Sequence, residues 1–349
     1  MKSAVSHSVA EARQPVLPSS ALALHVLEGL TEPQKRLSSL YFYDDEGSRL
    51  FKEIMALPEY YLTRSEREVL QIHGSQIVEW MLKGSSSLEL VELGSGDGSK
   101  TIELVAQLRN RRVRTTYYPL DISSEALGFL KQAFRKTLPD VEVIPTEGNY
   151  FERWPQTRQT SRQVGMFLGS NLGNLTHESA VSLLRGFRFN LRSGDGFLLG
   201  VDLKKSPHTV LAAYSDAGGV TARFNLNLLA RLNRELEMDF DLSAFRHYAT
   251  YSPLDGVARS FLVSTKAQTV TSRVLARSFH FADGESLYTE QSRKYDTEEI
   301  ERLAAESGFT IDAHFKDSRG WYDVVAWRAV DIIGGVGRPT STRRGVATV

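Results

Sequence analysis

The sequence of 349 residues contains no cysteine. This absence excludes a disulfide-stabilised scaffold, a thiol nucleophile, an iron–sulfur cluster and any zinc site with cysteine ligands. An excess of one charge is also lacking, because 42 Lys and Arg residues balance 42 Asp and Glu residues. A net charge of zero argues against a strongly basic nucleic-acid-binding protein, so we expect no nucleic-acid partner.

Long apolar segments are absent as well. Runs such as residues 197–201 are far shorter than the roughly 18 residues that a membrane-spanning helix needs. Near the N-terminus, Glu11 and Arg13 interrupt the apolar residues, so we expect no secretory signal. These observations predict a cytoplasmic protein that has no membrane partner.

The composition is that of a globular protein, with 41% apolar and 24% charged residues. The length predicts about two domains, or one domain with a large insertion. Residues 1–20 are rich in Ser, Ala and Pro, and the residues from 331 onwards are rich in Gly, Ser, Thr and Arg. We expect a flexible arm and a flexible tail at these two ends.

Short apolar segments alternate with segments of helical periodicity over residues 66–203. The expected strands are 88–93, 115–120, 141–144, 166–169 and 196–203, and the expected helices are 66–82, 101–108, 124–138 and 177–191. Strands separated by helices of this length predict a parallel sheet that is covered on both faces.

The alternation stops after residue 203. Helical segments over 205–245 precede antiparallel strands over 247–280, with a hairpin turn at Asp255-Gly256. The alternation then resumes with a helix over 297–307, which Asp296 caps and Gly308 ends, and with strands over 309–315 and 322–328. We therefore expect one α/β sheet domain that is interrupted late by an insertion, against which residues 22–61 pack.

A glycine-rich turn, VELGSGDGSK over residues 91–100, follows the first expected strand and precedes a helix. Its spacing matches neither the dinucleotide fingerprint nor the P-loop. Asp121 ends the next strand, where a carboxylate suits the two hydroxyls of a ribose, although it could instead cap the helix at Ser124. This layout is typical of nucleoside-cofactor sites, and a late antiparallel strand over 322–328 is typical of methyltransferase sheets.

Two polar segments could contribute to the same site. In FLGSNLGNL, residues 167–175, Asn174 could bind a carboxylate or an amine, or could form a turn or a helix cap. In YTEQSRKY, residues 288–295, Glu290 and Ser292 point to the same side of an extended segment, which could also be a solvated loop. The aromatic clusters over 41–43 and 58–61 are more often core than pocket.

Taken together, seven segments resemble the histidine-specific S-adenosylmethionine (SAM)-dependent methyltransferases over residues 35–330. These segments are YFYDDEGSRLF, LPEYYLTRSE, ELGSGDGSKT, YYPLDIS, LGSNLGNL, FNLNLLARLNRELEMDFD and YTEQSRKY. The resemblance implies a class I SAM-methyltransferase (Rossmann-like) α/β sheet with an inserted α+β substrate-binding domain. It also implies trimethylation of the α-amine of L-histidine to hercynine, the first step of ergothioneine synthesis.

By the same resemblance we expect SAM as methyl donor, an amino acid as substrate, no metal and a monomer. The expected division of the chain is an arm (1–20), an N-terminal segment that packs with the substrate domain (21–61), a SAM-binding domain (62–204 and 291–330), an inserted substrate-binding domain (205–290) and a tail (331–349).

The resemblance also implies roles for individual residues. Gly94 and Lys100 belong to the SAM turn, Asp121 binds the ribose, and Asn149 with Tyr150 flanks the adenine. The residues expected around the substrate are Asn174 and Tyr214 at its amino-acid end, Glu290 and Ser292 at the imidazole, and Tyr60, Tyr43 and Phe51 along the pocket. An analogue without the imidazole would leave a buried carboxylate unpaired, which favours histidine.

One segment departs from the family pattern and leaves a second kind of substrate as an alternative. Residues 259–263 read RSFLV, unlike the Glu-Met-His-Leu-Val associated with the family. If Ser260 takes the place of that methionine, the pocket is larger and more polar, and the substrate is another amino acid such as tryptophan, tyrosine or a derivative. A SAM-binding sensor without catalysis is a third hypothesis, but a sensor would not need both halves of the site.

Overall fold

The computed structural model describes residues 20–331. The expected arm and tail lie outside these residues, except for Ser20 and Asp331. Within the described residues the helices are α1 Ala21–Thr31, α2 Asp45–Ala56, α3 Leu62–Leu82, α4 Ser99–Asn110, α5 Ser124–Thr137, α6 His177–Phe189, α7 Pro207–Tyr214, α8 Val220–Glu235 and α9 Thr297–Ser307. The strands are β1 Ser87–Leu93, β2 Arg114–Asp121, β3 Glu142–Val143, β4 Thr146–Glu147, β5 Arg162–Phe167, β6 Gly196–Asp202, β7 Phe245–Ser252, β8 Val257–Ser264, β9 Gln268–Ser272, β10 Arg277–Phe281, β11 Ser286–Arg293, β12 Phe309–Lys316 and β13 Tyr322–Ala329. Short 3-10 helices cover Ser39–Phe42, Asn171–Asn174 and Leu242–Ala244.

The main sheet confirms the predicted α/β alternation. Its strand order is β12-β13-β6-β5-β1-β2-β3, and β4 also pairs with β2. Strands β1 to β6 pair in parallel, whereas β13 runs antiparallel to β6 and to β12. From β1 the chain continues to β2 and β3 on one side, and it then crosses back to β5 on the other side of β1, so the strand order reverses at β1. Parallel sheets bind ligands outside the carboxyl ends of the strands at such a point.

Apolar side chains cover both faces of this sheet. In β1, Leu88 and Leu90 join one buried cluster, while Val91 and Leu93 join another on the opposite face. A strand buried on both sides favours the continuous apolar runs seen in the sequence over an alternating pattern. The covering helices therefore leave only the strand ends open for polar chemistry.

Local signals set several boundaries as expected, whereas others are wrong: α3 begins at Leu62 rather than at residue 66, and β5 begins at Arg162 rather than at residue 166. Asp296 forms a capping box with Glu299 at the start of α9, and Gly308 ends the helix at φ 82°. The strand expected over 166–169 ends at Phe167, because Gly169 and Ser170 take left-handed φ values of 83° and 61°. The segment that follows β5 therefore turns across the edge of the sheet.

A second core lies against this edge. Strands β7, β8 and β11 form an antiparallel sheet, and the expected turn at Asp255-Gly256 joins β7 to β8. Phe42 of the N-terminal segment, Leu228 of α8 and Leu287 of β11 are fully buried in one cluster. The N-terminal helices thus pack with α8 and the second sheet. Strand β11 runs through the expected domain boundary at 290/291, and the division into domains stays a prediction.

Candidate active site

The glycine turn leaves a stretch of bare backbone between β1 and α4. Gly94, Gly96 and Gly98 have φ values of 68°, 54° and 68°, a region that residues with a Cβ rarely adopt. A Cβ on Gly94 would come within 3.4 Å of Nδ2 of Asn171, so a side chain there would enter the space between β1 and the loop after β5. The turn therefore forms a cradle at the N-terminus of a 12-residue helix.

Asp121 lies at the mouth of this cradle. Its Oδ2 accepts a hydrogen bond from the Gly96 N–H at 2.8 Å, and its Oδ1 accepts one from the Ser123 N–H at 2.9 Å. Burial raises the pKa of Asp121, which the two backbone donors partly offset. The alternative role as a helix cap is wrong, because Ser123 caps α5 by accepting from the Ala126 N–H.

Lys100, in the first turn of α4, forms an ion pair with Glu66 of α3. Glu66 is buried and also accepts hydrogen bonds from the Gly169 N–H and the Tyr322 hydroxyl, both at 2.7 Å. Burial acts to lower the pKa of Lys100, but the Glu66 carboxylate outweighs it and the pKa lies above its ordinary value. Glu66 is thus a residue that our sequence analysis did not single out, although it ends the LPEYYLTRSE segment.

Tyr150 borders the cradle more closely than its neighbour Asn149. Its ring packs edge-on against Phe167 at 5.2 Å, and its Cε1 lies 3.8 Å from where a Cβ on Gly94 would stand. Burial raises the pKa of Tyr150 to about 12. The side-chain oxygen of Asn149 accepts from the Phe151 N–H at 3.0 Å, so it serves a local turn.

All the residues expected around the substrate line one cavity. They are Tyr43, Phe51, Tyr60, Asn174, Tyr214, Glu290 and Ser292. The loop Gly169–Asn171 lines the same cavity. Because Asn171 also approaches Gly94, this cavity and the glycine cradle share a wall.

One side of the cavity is aromatic. Phe51 lies at the centre, with ring-centroid distances of 5.5 Å to Tyr43, 6.2 Å to Tyr60 and 5.9 Å to Phe224. Burial holds the pKa values of Tyr43 and Tyr60 well above their ordinary value, so both hydroxyls stay protonated. Our expectation that the aromatic clusters are core holds for Phe42, but Tyr43 and Tyr60 face the cavity.

The opposite side is polar and comes from β11. Glu290 pairs in register with Ser260 of β8, whose hydroxyl lies 3.3 Å from a Glu290 carboxylate oxygen and donates to it. Burial raises the pKa of Glu290 to about 7, although Lys294 and the Ser260 hydroxyl act in the other direction. Ser292, two residues further along the strand, accepts a hydrogen bond from the Tyr214 hydroxyl at 2.8 Å.

Other cavity residues were missed by the sequence analysis. Thr221 and Phe224 reach the cavity from α8, where an amphipathic pattern does not distinguish pocket from core. Lys294 lies beneath the polar side and contacts both Tyr214 and Ser292. Its position two residues after Ser292 in an extended segment was the available signal.

Within residues 20–331, no group of three or more His, Asp or Glu side chains is placed to hold a metal ion. In the same residues, no helix has both the length and the apolar character needed to cross a membrane.

The strand order, with one antiparallel strand next to β6 and a cradle after β1, defines a class I methyltransferase fold. The chain belongs to the family described as histidine-specific methyltransferase, SAM-dependent, whose model matches residues 22–329. A histidine N-alpha-methyltransferase of Mycolicibacterium smegmatis is 36% identical over 302 residues, which cover 86% of this chain and 93% of that protein.

Two further proteins are similar over most of this chain. Ergothioneine biosynthesis protein 1 of Schizosaccharomyces pombe is 29% identical over 310 residues, which cover 85% of this chain and 40% of that protein. A solved S-adenosylmethionine-dependent methyltransferase from Clostridium acetobutylicum covers 81% of this chain and 99% of its own length, at 11% identity and a TM-score of 0.46.

Proposed function

We propose that this enzyme transfers three methyl groups to the α-amine of L-histidine and forms hercynine, the first step of ergothioneine synthesis. The observation that carries the proposal is the polar wall of the cavity, where Glu290 and Ser292 stand side by side. A carboxylate that accepts from one imidazole nitrogen, beside a hydroxyl at the other, recognises histidine over other amino acids. The 36% identity to a protein named histidine N-alpha-methyltransferase supports the same substrate.

The residues around the glycine turn fit SAM. The bare backbone at Gly94 admits a ligand, and the Ser95 hydroxyl is buried with no hydrogen-bond partner among the described residues. The Asp121 carboxylate can accept from the two ribose hydroxyls, and the Tyr150 ring can pack on the adenine. Bound SAM supplies an electrophilic methyl group on a sulfonium. The residues that we propose for SAM binding are Gly94, Lys100, Asp121, Asn149 and Tyr150.

The chain's contribution to catalysis is positioning. Asn174 and Tyr214 line the amino-acid end of the substrate, and Glu290 with Ser292 holds the ring. The Tyr214 hydroxyl also donates to Ser292, so Tyr214 lies between the two ends. With both ends of the substrate fixed, the α-amine is directed to the wall that the cavity shares with the cradle. Alignment of reacting atoms at close range is worth about 7–11 kcal/mol in well-oriented systems, so positioning is the main catalytic effect. Each round needs a neutral amine: its lone pair forms the N–C bond as the S–C bond of SAM breaks, S-adenosylhomocysteine leaves, and the proton of the ammonium product passes to water before the next round.

The aromatic side of the cavity suits the later rounds of methylation. Each transfer places a positive charge on the amine nitrogen, which becomes permanent after the third, and aromatic faces attract such cations by roughly 0.5–2 kcal/mol. Tyr43, Phe51 and Tyr60 supply these faces while leaving the cavity open. The reaction stops by itself at three methyl groups, because a quaternary nitrogen has no lone pair.

A different amino-acid substrate remains the alternative, and it depends on Ser260. Ser260 is fully buried, and its hydroxyl bonds to Glu290. It therefore acts on the substrate through the carboxylate that recognises the ring, which favours histidine over tryptophan or tyrosine.

We further propose a monomeric cytoplasmic enzyme that acts on a free amino acid, without nucleic acid, membrane or metal. The SAM-binding domain comprises residues 62–204 and 291–330, and residues 205–290 form the inserted substrate-binding domain, packed with the N-terminal segment 21–61. Three separate apolar clusters, one against each face of the main sheet and one around α8, support this division.

Mass spectrometry tests the proposal directly. The purified protein is incubated with SAM and separately with L-histidine, L-tryptophan, L-tyrosine and L-phenylalanine. We expect a gain of three methyl groups on histidine alone, with S-adenosylhomocysteine formed in a threefold molar amount. Preferred methylation of another amino acid would contradict the histidine assignment, and no methylation of any of them would contradict the proposed activity.

A further inference from the structure

A lysine without exposed surface lies directly beneath the polar wall of the cavity. The Nζ of Lys294 lies 2.9 Å from Oδ2 of Asp202, 2.7 Å from the Tyr214 hydroxyl and 2.8 Å from the Ser292 hydroxyl. An ammonium group has three N–H donors and no acceptor. Two hydrogen bonds and one ion pair therefore engage the Lys294 ammonium.

Neutralising Asp202 does not by itself require Lys294. Asp202 is also paired with Lys205 through its other carboxylate oxygen, and it accepts a hydrogen bond from the Tyr61 hydroxyl at 2.7 Å. Lys205 is nearly as buried as Lys294, but its contacts are with Asp202, Tyr61 and the Leu203 carbonyl. Burying the Lys294 ammonium in addition to that of Lys205 costs desolvation free energy. Because Asp202 is already paired, we look for the role of Lys294 in its contacts with the Tyr214 and Ser292 hydroxyls.

The donor-only character of Lys294 restricts the protons of its two hydroxyl partners. Both hydroxyl oxygens accept from Lys294, and they also share a hydrogen bond that uses one of their two protons, with Tyr214 donating to Ser292. The remaining proton is that of the Ser292 hydroxyl, and it has to point away from both Tyr214 and Lys294. If the shared bond were reversed, the remaining proton would be that of Tyr214. In either arrangement the pair offers the cavity one hydrogen-bond donor.

We propose that Lys294 is a positioning residue that turns this hydroxyl donor towards the substrate and thereby selects the uncharged form of the histidine ring. The inference rests on the proposed function. Neutral imidazole has one N–H, which Glu290 accepts, and one bare nitrogen, which accepts from Ser292. Protonated imidazole has two N–H groups and no acceptor. Its second N–H would face the hydroxyl proton of Ser292, and its positive charge would be repelled by the Lys294 ammonium behind that hydroxyl.

Other ionisable groups line this part of the cavity or lie behind its wall, and any pH experiment has to separate their effects. Glu290, Tyr43, Tyr60 and Tyr214 line the cavity, whereas Asp202 and Lys205 lie behind it. The pKa of Glu290 is raised to about 7 by burial, so it titrates in the same range as histidine. A ligand with a ring that stays neutral throughout controls for this titration.

Paired variants test the positioning role. Lys294→Met should raise the KM for L-histidine about tenfold, the effect of misplacing one hydrogen bond, and leave the Kd for SAM unchanged. The matched control is Lys205→Met, which removes the other ammonium from Asp202 without touching Tyr214 or Ser292. We expect a comparable fall in melting temperature for both variants and a near-normal KM for the control. Equal KM values in the two variants would overturn the positioning role.

A second measurement needs no variant and holds even if Lys294→Met does not fold. The Kd values of L-histidine and L-triazolylalanine for the wild-type protein with S-adenosylhomocysteine are measured between pH 8 and pH 5.5. Between pH 8 and pH 5.5 the Kd for histidine should rise by a factor roughly ten times larger than the Kd for triazolylalanine, because most of the imidazole of free histidine is protonated at pH 5.5. Parallel curves would refute selection of the neutral ring. Failure of the wild type to bind or methylate histidine at all would instead refute the proposed function, and this inference with it.

Discussion

Replacing Glu290 with glutamine should make the empty enzyme more stable and a poorer histidine methyltransferase. Burial raises the pKa of the Glu290 carboxyl from 4.5 to about 7. The folded protein therefore binds more protons than the unfolded chain between these values, so the stability of the wild type falls as the pH rises through this window. Above pH 7 the ionised carboxylate destabilises the fold by at most about 3 kcal/mol, since each pKa unit corresponds to about 1.4 kcal/mol.

Glu290→Gln removes this titration. Without ligands, the variant should exceed the wild type in melting temperature by at most about 4 °C at pH 8, given an unfolding entropy of roughly 2.1 cal/mol/K per residue. The gain should nearly disappear at pH 4.5, where the carboxyl is almost fully protonated in the folded wild type and about half protonated in the unfolded chain, so that its ionisation hardly affects stability. Calorimetry at the two pH values measures this difference. A gain that does not grow with pH would refute the burial argument.

The same variant should weaken histidine binding. A hydrogen bond to a charged group contributes about 1.5–3 kcal/mol, so the KM for L-histidine should rise roughly tenfold or more, with the Kd for SAM unchanged. Glu92→Gln is the matched control, because burial also raises the pKa of Glu92 to about 7, yet this residue bonds Tyr117 and Thr101 away from the cavity. We expect the control to show the pH-dependent stabilisation with an unchanged histidine KM. An unchanged KM in Glu290→Gln would contradict the imidazole role.

Three further changes separate the parts of the site. Asp121→Ala should raise the Kd for SAM about tenfold or more in calorimetry through the loss of two hydroxyl contacts, and an unchanged Kd would remove the ribose assignment. Asn174→Ala should raise the histidine KM or lower turnover about tenfold at normal SAM affinity, whereas normal kinetics would show that Asn174 only shapes its turn. Ser260→Ala should raise the histidine KM more at pH 7 than at pH 9. Without the Ser260 hydrogen bond the pKa of Glu290 rises further, so less of its carboxyl is ionised at pH 7. An effect on KM that does not depend on pH would contradict the conclusion that Ser260 acts through Glu290.

Much of the fold could be predicted from local signals. Apolar runs followed by Gly94 or Asp121 marked the carboxyl ends of strands, and the pair Asp296 and Gly308 marked both ends of α9. These signals depend on backbone conformation and on neighbours within a few residues, so they are readable in sequence. The end of β5 was missed because Ser170 takes a left-handed conformation that its residue type does not favour.

Where two local explanations competed, only contacts over long chain distances could decide. Asp121 could bind a ribose or cap the helix that begins at Ser124, and its contact with the Gly96 N–H, 25 residues earlier in the chain, places it at the glycine cradle. The pattern around Tyr43 and Tyr60 favoured core over pocket, and only their packing with Phe51 beside the polar strand β11 shows that they line the cavity.

The sequence by itself determined the sheet, the glycine cradle, the acid at the end of β2 and the family to which the chain belongs. Tertiary structure decided what surrounds the polar residues: it set Ser260 behind Glu290, and it set Lys294 and Asp202 beneath Tyr214 and Ser292. The physical reason is that secondary structure follows from short-range periodicity and backbone preference. The pKa of a carboxyl and the direction of a hydroxyl proton instead follow from burial and from donors on other elements, which meet only when the chain has packed.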